Sequence, residues 1–138
     1  MNLDGLESRE VAFLHLTSPR SPFDPLKTDD GEKVGLMIWS ADSSAMQSLD
    51  RDLMDRRLAA AAKPGGNRGV TIKASEVFIE TKERLIASVS EVINISISDR
   101  QVTSSREDIE ELFRRFPWIE AQVADFFGNR ESFLISAA

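Results

Sequence analysis

Three prolines, Pro19, Pro22 and Pro25, followed by the turn pair Asp30-Gly31, split the first third of the chain into two short apolar runs. Proline fixes φ and removes an amide donor, so no regular hydrogen-bond ladder passes through residues 17–33. Each flanking run is too short for a stable helix and is rich in the residue types of a strand. In Glu10 to Leu16 (EVAFLHL), alternation sends Ala12, Leu14 and Leu16 to one face and Val11, Phe13 and His15 to the other. In Val34 to Ala41 (VGLMIWSA), Leu36 and Ile38 oppose Met37 and Trp39. The pair predicts an antiparallel two-stranded ribbon with a long loop. A lone ribbon is marginal in water, so it must pack on a helix or extend a sheet in a neighbouring subunit.

From Asp42 onward the apolar spacing changes to three and four residues. A first helix spans Asp42 to Ala62, capped by Asp42, Ser43 or Ser44, with Met46, Leu49, Leu53 and Leu58 as its stripe. Lys63-Pro64-Gly65-Gly66-Asn67-Arg68-Gly69 ends it and reads as a linker. A second helix is predicted from Ile72 to Asn94. Val77, Phe78, Leu85, Val89 and Val92 fall on one side of it, with Ile79, Ile86 and Ile93 on an adjacent stripe. So wide an arc suits a central helix touching several neighbours. Ile95 to Thr103 reads as a short strand or an extended connector.

Ser104 or Ser105 opens the third helix, with Glu107 and Asp108 at capping-box spacing and Ile109, Leu112, Phe113 and Phe116 as its apolar face. Pro117 suits the first turn of a fourth, carrying Trp118, Ile119, Val123, Phe126 and Phe127. Gly128-Asn129 ends or bends that helix, and Phe133, Leu134 and Ile135 form a last apolar patch. The expected architecture is mainly α within an α+β class: an N-terminal two-stranded β-ribbon followed by about four helices. Residues 1–9 are expected to be a flexible N-terminus. Residues 10–138 would form one small domain: ribbon 10–41, helices 42–94 and a C-terminal helical pair 104–135.

Composition narrows the chemistry. Cysteine is absent, which removes disulfides, thiol nucleophiles and thiolate-bound metal. His15 is the single histidine. It sits in an apolar strand, where a packed, hydrogen-bonded role is the plainer expectation than general base. The glycine-rich stretch Gly65 to Gly69 lacks the lysine of a phosphate-binding loop. Asp29-Asp30-Gly31-Glu32 is too short for a calcium loop. The acidic groups Asp50/Asp52/Asp55 and Glu107/Asp108/Glu110/Glu111 alternate with arginines, as solvated helix faces do. No serine lies in a nucleophile elbow. No enzyme, cofactor or metal is expected.

A net charge of −6 disfavours nucleic acid and anionic membranes and suits a neutral or basic protein partner. No apolar run approaches the roughly 20 residues of a membrane span, and the N-terminus lacks the apolar middle of a secretory signal. A cytoplasmic location is the expectation. The informative residues are then large apolar ones at ambiguous positions: Met37, Trp39, Trp118, Phe126 and Phe127. Core packing is the plainer reading of each; exposure would make it an anchor of a protein interface.

The order of these features resembles a family of small proteins encoded by long-tailed bacteriophages and prophages, the tail assembly chaperones. The resemblance is carried by the early strand, the Asp24-Pro25 to Gly31-Glu32 turn and the strand Val34 to Ser40. It continues in the helix leading to Asp55-Arg56-Arg57-Leu58, in Phe116-Pro117-Trp118-Ile119-Glu120-Ala121-Gln122-Val123 and in Asn129-Arg130-Glu131-Ser132-Phe133-Leu134. It implies a non-catalytic helical protein in the cytoplasm of a bacterial host cell. Such a protein coats the tape measure protein, keeps it soluble, helps recruit tail tube protein and leaves before the particle is finished. Self-association is a further expectation. The competing expectation is a permanent structural component, a head–tail connector or tail terminator.

Overall fold

The computed structural model describes residues 3, 6–22, 24–62 and 74–134; the predicted linker 63–69 and Ile135 lie outside them. Among the described residues the protein is α+β, with four α-helices and a three-stranded antiparallel sheet.

Strands β1 (Val11–His15) and β2 (Gly35–Trp39) pair antiparallel, Val11 facing Trp39 and His15 facing Gly35. The predicted alternation holds. Ala12, Leu14, Leu16, Leu36 and Ile38 are buried, while Val11, Phe13, His15, Met37 and Trp39 lie half-buried on the opposite face. The intervening loop forms only isolated bridges, Thr17 to Pro25 and Lys27 to Lys33, as its prolines require. Leu26 closes it, its amide donating to Leu16 O at 2.8 Å and its carbonyl accepting from Val34 N at 3.3 Å. His15 Nε2 donates to the Leu26 carbonyl at 2.8 Å, which gives the histidine a structural role.

Gly35 is the tightest point of the sheet. A Cβ there would lie 2.1 Å from Leu14 O and 2.7 Å from the Phe13 ring, so only glycine lets the two strands and the ring close up.

Helix α1 (Ser44–Ala62) follows β2. Of the three candidate caps, Ser43 does the work: its Oγ accepts from Met46 N at 3.3 Å. Helix α2 (Ala74–Ser88) runs antiparallel to α1. The predicted helix to Asn94 is not formed. The chain leaves α2 after Ser88 and becomes β3 (Val89–Ile93), which pairs antiparallel with β2 through a bulge at Met37/Ile38. The expected ribbon is therefore a three-stranded sheet completed within the chain. Val89, Val92 and Ile93 are β-branched and fit a pleated surface better than a crowded helical turn. Val89 and Val92 are both buried on this strand although they stand at a helical interval, which is why helical spacing misread them. Asn94 then reverses the chain at φ 59°, a conformation asparagine tolerates.

The stretch read as a strand or connector is a hairpin of β4 (Ser96–Ile97) and β5 (Arg100–Gln101). Its turn residues, Ser98 and Asp99, both take positive φ, as a type I′ turn demands. Helix α3 (Arg106–Arg115) is capped by Ser105, whose Oγ accepts from Asp108 N at 3.3 Å. Helix α4 (Pro117–Gly128) begins at the proline as expected, and a 3-10 turn, Arg130–Phe133, buries Phe133. Ser8 bridges to Leu134, and Arg9 N donates to Phe133 O at 2.6 Å, so the described end of the N-terminal stretch is tied to the C-terminal segment.

The core lies between the Leu14/Leu36/Ile38 face of the sheet and Leu85 of α2, Ile109, Leu112 and Phe113 of α3, and Ile119 and Val123 of α4.

Candidate protein-binding surface

Among the described residues, the α1–α2 pair carries most of the large apolar side chains that the fold leaves exposed. On α1, Met54 and Leu58 are exposed, and Leu58 keeps 61% of its surface open. On α2, Val77, Phe78 and Ile79 are exposed, the last two at 63% and 57%. Among the described residues, Leu3 and Leu6 are the other large apolar residues in the open.

The local sequence explains why these helices persist without burial. Leu58 to Ala62 (LAAAA) has nearly the highest helix propensity available. The first turn of α2 carries Glu76, favourable at a helix N-terminus. Burial on α2 is confined to Leu85 and Ser88 at its other end. Val77 stands eight residues, or about 12 Å, from Leu85 along the helix axis, beyond the reach of the sheet.

What joins the two helices is a buried Leu53 and a ladder of ion pairs. Arg56 Nη2 lies 3.0 Å from Glu83 Oε2, Arg84 Nε lies 3.0 Å from Asp50 Oδ1, and Arg57 pairs closely with Glu80. The Glu80 carboxylate accepts from Arg57 and raises its pKa further above the ordinary arginine range. These charges are mostly neutralised within the pair. Two shallow grooves flank Leu53. One, of about 310 Å³, is bordered by Met54 and Val77; the other, of about 240 Å³, by Ala60 and Ile79. Lys82 Nζ sits 5.4 Å from the Phe78 ring centre, the placement of a cation over an aromatic face.

The residues nominated from sequence lie elsewhere. Met37 and Trp39 stand on the outer sheet face beside Val11 and Phe13, half-buried. Trp118, Phe126 and Phe127 are half-buried and packed against the core. Trp118 meets Phe116 edge-on, Phe126 meets Phe133 at 5.2 Å, and Arg84 covers Phe127 at 5.7 Å. Phe127 also lines a groove of about 450 Å³ with Arg84, Ala124 and Arg130. Val77, Phe78 and Ile79, read from sequence as a core-facing arc, are instead open to solvent.

The sequence signal there is ambiguous between burial on several sides and exposure. Three successive apolar residues span about 200° of a helix circumference, more than one packing face covers. Among the described residues no group of three or more His, Asp and Glu side chains is placed to hold a metal ion, and no helix is long and apolar enough to cross a membrane. Neither the sequence nor the fold matches a known family, a curated protein or a solved structure.

Proposed function

We propose that this protein is a non-catalytic binder that holds an apolar helical segment of another polypeptide on its α1–α2 surface. The observation that carries the reading is the concentration of Met54, Leu58, Val77, Phe78 and Ile79 on one helical pair of a chain with net charge −6. Burying one such side chain fully contributes roughly 1.5–3 kcal/mol, so a partner covering several of them has a large driving force. The groove between the two antiparallel helices bordered by Met54 and Val77 suits the apolar stripe of a third helix. The acidic balance favours a segment with neutral or basic flanks.

The resemblance to tail assembly chaperones supplies the client: the long, helix-rich tape measure protein of a long-tailed phage, kept soluble in the host cytoplasm until tail tube protein assembles around it. A chaperone of this kind needs accessible apolar surface on an otherwise well-solvated body, and the α1–α2 pair provides such a surface.

The experiment is co-expression with a tape measure protein, scored for soluble client. The wild-type chain should keep the client in solution and copurify with it, and Leu58→Glu with Phe78→Glu should lose both effects while remaining folded. Finished particles should contain none of the protein. An unchanged yield of soluble client with the double variant would overturn the assignment of this surface. Stoichiometric protein in purified particles would favour a connector or terminator instead.

A further inference from the structure

Strand β1 has an open edge. The bonds Ser40 N to Glu10 O (2.8 Å) and Leu16 N to Val34 O (3.1 Å) set its parity. Even-numbered residues turn their main-chain groups toward β2, and odd-numbered ones turn theirs away. On that outward side Arg9 N is taken by Phe133 O. Thr17 is taken by Gln122, whose Oε1 accepts from Thr17 N at 3.0 Å and whose Nε2 donates to Thr17 O at 2.9 Å. Between these two closures lie Val11, Phe13 and His15, whose outward N–H and C=O groups have no partner among the described residues.

The window is symmetric. Its closures lie four residues either side of Phe13, and its length is that of β1 itself, five residues. Exposed edges are ordinarily guarded by charge or proline. This one reads Val-Ala-Phe-Leu-His, without either, in a chain that is 29% charged.

We propose that two copies of this chain pair through β1, antiparallel about a two-fold axis at Phe13, joining two three-stranded sheets into one of six. Phe13 then faces Phe13 of the second copy, and Val11 faces its His15. The open groups of Val11, Phe13 and His15 each gain a bond, and no charged side chain meets another across the axis. The two strands part at Arg9 and Thr17, whose outward groups Phe133 and Gln122 hold. An isologous contact of this kind is closed and stops at the dimer. The paired outer faces bring Val11, Phe13, Met37 and Trp39 of both copies onto one surface. The proposal is independent of the client reading, because it uses neither α1 nor α2.

Sedimentation of the full chain without client should give twice the 15.4 kDa chain mass. Val11→Pro removes an outward N–H that β2 does not use, so it should yield a folded monomer. Because the chain has no cysteine, Phe13→Cys introduces a single thiol. Under mild oxidation it should form a covalent dimer far faster than Val11→Cys or Leu58→Cys, which register places away from the axis. Phe13→Cys also tests the proposal if the proline variant fails to fold. A wild-type monomer at all soluble concentrations would overturn it, as would cross-linking through Leu58→Cys at the rate of Phe13→Cys.

Discussion

The side-chain amide of Gln122 clasps the main chain of Thr17 from across the fold, accepting from its N–H at 3.0 Å and donating to its carbonyl at 2.9 Å. A glutamine amide has the donor and acceptor layout of a peptide group, so Gln122 replaces one step of a neighbouring strand and fastens α4 to the end of β1. Gln122→Leu leaves both Thr17 groups unpaired in a half-buried position and should cost about 1–3 kcal/mol. Gln122→Glu keeps the acceptor and should cost less. Urea unfolding of the three proteins, followed by circular dichroism, checks the order.

Gly35 gives a second test of the sheet. An alanine Cβ would meet Leu14 O and the Phe13 ring well inside contact distance. Gly35→Ala should destabilise the fold by about 1–3 kcal/mol, as overpacked sites do. Removing the ring with Phe13→Ala should relieve only part of that loss, because the clash with the Leu14 carbonyl remains. Thermal unfolding of the single and double variants measures the difference.

Acid should loosen the start of α3. Asp108 Oδ2 accepts from Thr103 N and Thr103 Oγ1, each at 2.8 Å, and the carboxylate meets the Arg100 guanidinium at 3.1 and 3.2 Å. The Arg100 bond foremost, then the Thr103 amide and hydroxyl, lower its pKa from 3.8 to about 2. The folded form holds its proton less tightly than the unfolded chain. The stability that this site adds is therefore complete above the unfolded pKa and lost as pH falls through the folded one. In Asp108→Asn that part of the acid dependence should vanish, so wild type and variant should converge as pH falls from about 4 to about 2. Denaturant midpoints across that range provide the comparison.

Much of the framework was legible because single residues dictate local geometry. Pro117 opens α4, Ser105 caps α3, and the alternation in β1 and β2 sorts core from outer face correctly. Where one pattern satisfied two geometries, the reading failed. Val89 and Val92 recur at a helical interval yet are both buried on a strand that leaves the line of α2. The uncovered surface was hidden for a different reason. Periodicity shows which residues are apolar, not whether an element arrives to cover them, and Val77, Phe78 and Ile79 lie past the end of the core. Trp118 and Phe127 follow the plainer of their two readings: half-buried, they pack against the core.

If the exposed side chains of α1 and α2 have no structural role in the free protein, removing them should cost little there. Leu58→Ser and Phe78→Ser should each change stability by no more than about 0.5 kcal/mol, the range of ordinary surface substitutions. Unfolding curves of the unbound chain test this without any partner. A loss of several kcal/mol would mean that these side chains already have a structural role.

Amide exchange on the full chain, free and bound to tape measure protein, tests the proposed surface most directly. Bound client should slow exchange along Leu53 to Ala62 and Val77 to Glu83, with Ile119 to Phe127 unchanged. Protection confined to the C-terminal helix, with Leu58 and Phe78 exchanging as in the free protein, would contradict the account.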